Sequence, residues 1–548
     1  MAIANASARG SSLLRTICLR GAASFAGTVA CDALVVGAGP AGLAFAIRMR
    51  QIDPAKRVVV LEKAMECGAH ELSGCVLDTR ALQDLIPTWK EDQRFPAFVE
   101  VVENELFHAT PKALRRMPTP PAMRSSDTVV VSLSQVVRWM AKKAMDLGVE
   151  VIPSCAAQKP WLANGKVVGV VTSSGERVRA GITALAEGCR GNVSETVIDT
   201  FHLRKGQDPP KYGLGLKEVW EVEAGKHIPG RVWSIIGWPL EEKAVGRGFV
   251  YHEKQKSRVS VGLTVGLDYS NPYISPFREF QMFKTHPKVQ SLLEGGACLQ
   301  YGARALNEGG FQSVPQLHFP GGVLLGCAGG LLDVAKTRGV HTAMMSGIIA
   351  AEETKKLQYG IDGVDNAGYT RRLHESWVWK ELYQGRNVRP GFAHGWLFGL
   401  ANAAMESFIL KGRVPWTLHH TKDDREATGP AAEHEKIEYP EPDGKLTFDV
   451  RTSLLRSGII HTHNQPSHLL LHDENVPTEI NYNMYAGLEE QYCPANVFEY
   501  VAEDTGDTKL QINARDCLHC KACDIKDPTH NIRWTPPKNG SGPHYEHM

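Results

Sequence analysis

The sequence predicts an α/β chain, α+β overall, built around a dinucleotide-binding domain with a cysteine-rich domain at its C-terminal end. Three stretches predict it: DALVVGAGPAG at 32–42, GGVLLGCAGGLLDVAKTRGVHTAMMSGIIAAEE at 321–353, and CLHCKACDIKDP at 517–528. At 548 residues the chain has room for two to four domains and a large core. Its net charge of +1 gives no electrostatic reason to expect a nucleic-acid partner.

The first 30 residues carry Arg9, Arg15 and Arg20, many Ser and Ala, and no acid. Such a segment can form a basic amphipathic helix, the character of a mitochondrial presequence. The fold is expected to start after it. Ala33 to Val36 read as a short apolar strand, followed by Gly37, Gly39 and Gly42 in G-x-G-x-x-G spacing. The first glycine permits a tight turn, the second lets backbone approach a pyrophosphate, and the third lets the next helix pack on the strand. That helix, LAFAIRMRQ, offers its free N–H groups to phosphate. A second strand, RVVVLEK, ends in Glu62, placed to accept ribose hydroxyls. The glycines alone are a weak signal. Strand, glycines, helix, strand and acid in register are a strong one, though they leave FAD and NAD open.

Two later segments favour FAD. ITALAEGCRG at 182–191 is an apolar strand ending in Glu187, Gly188 and Gly191, which resembles the strand that returns to the nucleotide domain in flavoproteins of the glutathione-reductase type. The 321–353 stretch resembles the second FAD motif of that superfamily, a strand, a glycine turn and a helix whose N-terminus faces the flavin. Its candidate contacts are Gly326, Gly329, Gly330, Asp333, Gly339 and Thr342. Where that superfamily often has Gly-Asp, this chain has Gly326-Cys327. No second G-x-G-x-x-G appears, so a single nucleotide, FAD, is expected, with reductant from elsewhere.

Twelve cysteines are present, and those outside the C-terminal region are scattered singly, which is not the pattern of a disulfide framework. Cys517, Cys520 and Cys523 recur at every third position, the spacing of iron–sulfur ligation. The fourth ligand of a [4Fe–4S] cube is read as Cys493, because Pro494 follows it and a Cys-Pro pair commonly marks a remote ligand. A hairpin, VFEYVAED–TGD–TKLQINA, would return the chain from Cys493 to the triplet. Zinc is the rival occupant of four thiolates. His519, inside the triplet, reads as a surface or supporting residue rather than a ligand.

Together these residues closely resemble the electron-transfer flavoprotein:ubiquinone oxidoreductase family. The resemblance is carried by GAHELSGCVLD (68–78), YGLGLKEVWEV (212–222), GLDYSNPYISPFREFQ (266–281), EGGACLQYGARALNEGG (294–310), GRVPWTL (412–418) and CLHCKACDIKDP. It implies a presequence at 1–30, an FAD-binding domain of the glutathione-reductase type at 32–200 and 311–390, and a sheet-based ubiquinone-binding domain at 201–310. A membrane-docking segment at 391–416, a connecting region at 417–480 and a ferredoxin-like [4Fe–4S] domain at 481–548 complete it. It also implies electron transfer from reduced electron-transfer flavoprotein to ubiquinone on the matrix side of the inner mitochondrial membrane, through FAD and the cluster, with no catalytic nucleophile. Quinone contacts are implied at Gly246 and at Arg247, where relatives usually have a second glycine. Two stretches match an apolar membrane-docking plateau. One is 81–89, with Leu82, Leu85, Ile86 and Trp89 at helical spacing. The other is 391–416, flanked by Arg389, Lys411 and Arg413. The 158–182 segment is shorter than usual and reads as a trimmed surface loop. Two rival readings remain at this point: a soluble FAD enzyme carrying a structural zinc, and a scaffold that has lost electron transfer.

Three positions depart from the family pattern where the redox centres should feel it. Ala522 stands where relatives usually have Thr, Phe498 where they usually have Tyr, and Asp333 where they usually have Asn. An acid facing the flavin would disfavour negative charge there. The two missing hydroxyls remove donors to the cluster sulfurs, and such donors favour the more negative reduced state. Replacing Ala522 by Thr and Phe498 by Tyr together should therefore raise the cluster potential. The rise should be about 40 mV for each hydrogen bond that strengthens by ~1 kcal/mol on reduction. Potentiometric titration followed by EPR measures this, and no upward shift in the double variant would refute it.

Overall fold

A computed structural model describes residues 28–548 apart from 75, 125–126, 256, 358–362, 462–464, 503–505, 507 and 538–539. Most of the expected presequence, residues 1–27, lies outside the described residues. The first strand, Val29–Val36, starts slightly earlier than the sequence boundary at 32. It pairs in parallel with Arg177–Leu185 on one side and Val58–Leu61 on the other. Glu150–Ile152 extends the sheet beyond Val58–Leu61, and Gly322–Leu324 extends it beyond Arg177–Leu185, both in parallel. All four residues of Val58–Leu61 are buried, as expected of a parallel strand covered on both faces.

Two helices cross over this sheet, Pro40–Ile52 and Val340–Lys355. Their contact is set by Gly347, where a Cβ would lie 2.3 Å from the carbonyl oxygen of Ala41 and 2.8 Å from the amide nitrogen of Phe45. Only glycine allows so close a crossing. The 158–182 segment is not a trimmed loop. Ala157–Ala163 and Lys166–Thr172 form an antiparallel hairpin that joins Arg177–Leu185, and the β-branched run KVVGVVT, mostly buried, accounts for it.

A seven-stranded sheet forms the second layer system. Its order is Ala297–Asn307, Tyr212–Glu221, Arg258–Gly266, Gly246–His252, Arg231–Gly237, Glu103–Thr110 and Ala113–Met117. The last two strands come from the segment assigned by sequence to the first nucleotide-binding part. Glu103–Thr110 joins Arg231–Gly237 in parallel, so the sheet reaches back across the 201 boundary. Such a long-range pairing leaves no local signal in sequence.

The expected cluster hairpin is present, with Phe498–Ala502 antiparallel to Thr508–Ile512 in the register Phe498 to Ile512. The four cluster cysteines share one apolar core with Leu216, Tyr301 and Ala305 of the seven-stranded sheet and with Phe280 of the helix Pro276–Lys284. Tyr301 donates its hydroxyl to the carbonyl of Pro494 at 2.8 Å, and Ala305 donates its N–H to the carbonyl of Cys520 at 3.2 Å. The C-terminal region is therefore welded to the sheet.

Two assignments on the apolar plateau need correction. Leu82, Leu85 and Trp89 are almost fully buried in the core of the nucleotide domain, and the Trp89 ring packs on Phe95 and Phe98. A core-facing helix and a membrane-facing one share the same spacing, so periodicity could not separate them. Arg389 is no surface anchor either, since it is buried against Asp268 at 2.8 Å and Glu308 at 3.5 Å. Lys411 and Arg413 are exposed.

At the centre of the second core Lys284 meets both oxygens of Glu218, at 3.0 and 2.9 Å, with neither side chain exposed. Trp220 donates its indole N–H to the same carboxylate at 2.7 Å. Burial holds the Lys284 amine below its usual range, and the Glu218 charge opposes that. Lys284→Met should cost about 3–5 kcal/mol by stranding a buried carboxylate. Lys284→Met combined with Glu218→Leu should recover most of it. Urea unfolding of the two variants checks both statements.

Candidate functional site

The two crossing helices begin at one cavity of about 230 Å³. Gly39 and Gly339 are their N-caps, and neither helix has a side chain capping its first N–H groups. Two uncapped N-termini aimed at one cavity form a seat for anionic or electron-rich oxygens. Gly37 makes the turn that brings the first one there. Its φ is +101°, and a Cβ would lie 2.4 Å from the carbonyl oxygen of Ala186. Glu62 stands at the cavity edge, where its carboxylate accepts the N–H groups of Ala38 at 2.9 Å and Ala64 at 2.8 Å. These bonds fix the carboxylate beside the glycine turn and leave lone pairs for ribose hydroxyls.

Gly37, Gly39, Glu62 and Gly339 line the cavity, as do Glu187, Gly188 and Arg247. The Glu187 carboxylate is spent on the next helix, accepting from the N–H groups of Val193 and Ser194 and from the Ser194 hydroxyl. It therefore shapes the cavity wall as a helix cap. Gly42 lies behind the wall, where a Cβ would meet Val35 at 2.8 Å. Gly326 is wedged against the methyl groups of Ala41 and Ala343, and the adjacent Cys327 faces the cavity. Gly329 packs on Leu317, and Gly330 closes the turn in a left-handed conformation. Thr342 donates its hydroxyl to the carbonyl of Gly339 within the helix's own first turn.

Asp333 does not face the cavity. Its carboxylate accepts the N–H of Lys336 at 3.1 Å and lies 3.5 Å from the Lys336 amine, which also pairs with Glu381. The reason is local: Asp333 and Arg338 pair as a tight bridge, and the turn between them gathers the side chain inward. The expected electrostatic effect of Asp333 on a flavin therefore has no direct contact behind it. Gly246 also lies outside the cavity lining, packed under Leu240 and the carbonyl of Thr264. Arg247 reaches across instead and donates to the carbonyl of Lys336 at 3.2 Å, linking the second sheet to the loop before the second helix.

Residues that the motif reading passed over complete the cavity. Arg304 comes from the edge strand of the second sheet and pairs with Glu71 at 3.3 Å. Lys521, beside Cys520, donates to the carbonyl of Arg190 at 2.6 Å and lies over the Trp534 ring at 4.4 Å. Arg190 in turn pairs with Asp524 at 3.0 Å. The EGCRG segment and the cysteine triplet, 331 residues apart at the Lys521–Arg190 contact, are thus direct neighbours. Their signal in the sequence was the chemistry of each motif, not its pairing.

Cys493, Cys517, Cys520 and Cys523 are all buried and unbridged. Val497 and His519 donate backbone N–H groups to the sulfurs of Cys493 and Cys517, each at 3.4 Å. Burial pushes the Cys493 thiol up to about 11 and the Cys517 thiol up to about 12. Among the described residues no three of these sulfurs lie within 4.8 Å of one another. A single zinc ion with Zn–S near 2.3 Å would draw its sulfurs to about 3.8 Å. The wider spread suits a multi-iron cluster and disfavours the zinc reading. Ala522 and Phe498 are buried in the same core, 1% exposed each, and bring no hydroxyl to the sulfurs. His519 is buried, not on the surface.

The described chain has no helix long and apolar enough to cross a membrane. The helix Trp396–Met405 and the following turn Glu406–Leu410 are inverted. Gly399, Asn402 and Glu406 face the protein, with Asn387 donating to Glu406 at 2.9 Å and Asn402 donating to the carbonyl of Asn387 at 2.8 Å. Leu397 and Ile409 are 78% and 74% exposed, and Phe398, Met405 and Phe408 accompany them.

Family models match three parts of the chain. Residues 444–546 match the 4Fe-4S domain of electron transfer flavoprotein-ubiquinone oxidoreductase, and 212–306 match the ubiquinone-binding domain described for ETF-QO. Residues 35–81 match an NAD(P)-binding Rossmann-like domain. A geranylgeranyl bacteriochlorophyll reductase-like protein from Thermoplasma acidophilum superposes with a TM-score of 0.50 at 19% identity, covering 71% of this chain and 89% of its own, a likeness of fold. The mitochondrial electron transfer flavoprotein-ubiquinone oxidoreductase of Oryza sativa subsp. japonica is 48% identical, with 94% of this chain and 93% of its own covered. The Homo sapiens protein of the same name is 44% identical, with 94% and 89% covered. The chain belongs to the electron transfer flavoprotein-ubiquinone oxidoreductase family.

Proposed function

We propose that this oxidoreductase takes electrons from reduced electron transfer flavoprotein and delivers them to ubiquinone at the surface of the inner mitochondrial membrane, on its matrix side. The observation that carries the reading is the Lys521–Arg190 contact, which sets the cysteine cage against the wall of the dinucleotide cavity. FAD and a [4Fe–4S] cluster, bound there, supply one-electron steps that no side chain can make.

The chain's own part is to hold and shield. The uncapped helix starts at Gly39 and Gly339 bind the dinucleotide, with Glu62 at its ribose end. The four cysteines hold the cluster in a core that excludes water, which favours electron exchange with little solvent rearrangement. Arg247 brings a guanidinium to the cavity from the sheet whose family model is named for ubiquinone binding. Gly246, one residue earlier, begins that strand and serves with it as the proposed quinone contact. Docking on the membrane rests on the inverted helix, whose outward apolar side chains are flanked by exposed Lys411 and Arg413. The test is direct. Purified holoprotein should form ubiquinol from a soluble ubiquinone analogue when reduced electron transfer flavoprotein is the donor. Failure to oxidise that donor, with both cofactors present, would refute the reading.

Leu397→Ser combined with Ile409→Ser should weaken binding to phospholipid vesicles about 100-fold, since each buried side chain is worth at least ~1.5 kcal/mol. Vesicle flotation measures this, and the melting temperature should stay unchanged because both side chains are exposed in the folded chain.

A further inference from the structure

Beside the cysteine cage lies a group of three imidazoles that the proposed electron path does not use. His461, His468 and His519 place one ring nitrogen each within 4.8 Å of the others. The rings of His461 and His468 stack at 5.5 Å, and His519 meets both edge-on at 5.2 and 5.1 Å. We propose that these three histidines form a second metal site, distinct from the iron–sulfur cage, that takes a borderline divalent cation of the Zn²⁺ type.

Unsatisfied chemistry supports it. His468 and His519 are 3% and 8% exposed. Among the described residues, the Nε2 of His468 and both ring nitrogens of His519 have no hydrogen-bond partner. A buried polar atom left unpaired is costly, and one cation would satisfy one such nitrogen on each of the two rings. His461 is already oriented as a ligand. Its Nε2 lies 3.2 Å from the carbonyl of Cys517, so Nε2 can carry the proton and donate, which makes Nδ1 the acceptor nitrogen. A histidine that donates one ring N–H to a carbonyl and presents the other nitrogen is the usual arrangement at metal centres. The Gln465 side-chain N–H donates to that Nδ1 at 3.1 Å, a bond that a bound cation would replace. With its amide turned, giving up the bond its oxygen accepts from the Ser541 hydroxyl at 3.3 Å, Gln465 can serve as a fourth ligand in place of water.

Charge also allows the ion. Burial holds the His468 imidazole down to about 3, keeping it neutral and able to coordinate. Lys63 is pushed down to about 7 by burial and contacts His70 at 2.6 Å, and its charge opposes protonation of all three imidazoles. Neutral nitrogen ligands with an open or amide-filled fourth position suit Zn²⁺ over the hard oxygen-seeking cations.

The test uses the holoprotein with intact iron and sulfide, washed with a mild chelator and then equilibrated with Zn²⁺ alone. Elemental analysis after dialysis should find one zinc per chain. His468→Phe keeps the stacked ring and removes a ligand, and should bind zinc at least about tenfold more weakly with unchanged iron content. His461→Phe should behave alike. Co²⁺ in the unmodified protein should show intense tetrahedral bands, which decides the matter if both variants lose iron. Zinc retention equal in wild type and variants, or no retained metal in the wild type, would mean that water alone fills the site and would overturn the proposal. None of these readouts depends on electron transfer flavoprotein or quinone.

Discussion

The crossing of two helices at Gly347 is the constraint on which the rest of the molecule turns. Pro40–Ile52 and Val340–Lys355 come from opposite ends of the nucleotide-binding fold, and each opens from its own glycine turn. Because no side chain stands between Gly347 and the carbonyl of Ala41, the helices approach closely enough for both N-termini to open on one cavity. Any larger residue at 347 would push them apart, and the partial charges that seat a dinucleotide would no longer converge. The glycine that matters most for binding is thus in neither glycine-rich turn.

The second organising feature is the edge strand Ala297–Asn307. Tyr301 and Ala305 hold the cysteine cage through backbone carbonyls, while Arg304 between them points to Glu71 at the cavity. Alternate residues of one strand face opposite ways. One rigid element therefore fixes both centres at once. Lys521 adds a polar link from the cage to the EGCRG turn. Nothing in this arrangement needs a moving domain to bring the centres together.

Much of this was legible in sequence, and the failures have physical causes. The glycine turn, the acid at Glu62 and the Cys493 hairpin were readable because local geometry and spacing specify them. Glu62 follows the second strand directly, with its carboxylate beside the glycine turn. Asp333 was misread because a residue just past a glycine turn can aim either way, and its pairing with Lys336 is decided by a tight bridge to Arg338. Leu82, Leu85 and Trp89 were misplaced on the membrane because helical spacing marks an apolar face without saying what covers it. Arg389 looked like a surface anchor, yet its partners Asp268 and Glu308 lie 121 and 81 residues away in sequence. The strands at 103–117 joined the second sheet through pairing with 231–237, which composition cannot reveal.

The inverted helix at 396–410 has a consequence for handling the protein in water. Its position is held by Asn387, Asn402 and Glu406, so its fold does not rely on hiding Leu397 and Ile409. In water the chain keeps its shape and still presents a greasy face to the solvent. Two such faces are the readiest cover for each other, so the purified protein should pair or clump through correctly folded molecules. Detergent would then act as a substitute for a missing neighbour, and its removal would cost solubility long before it cost structure.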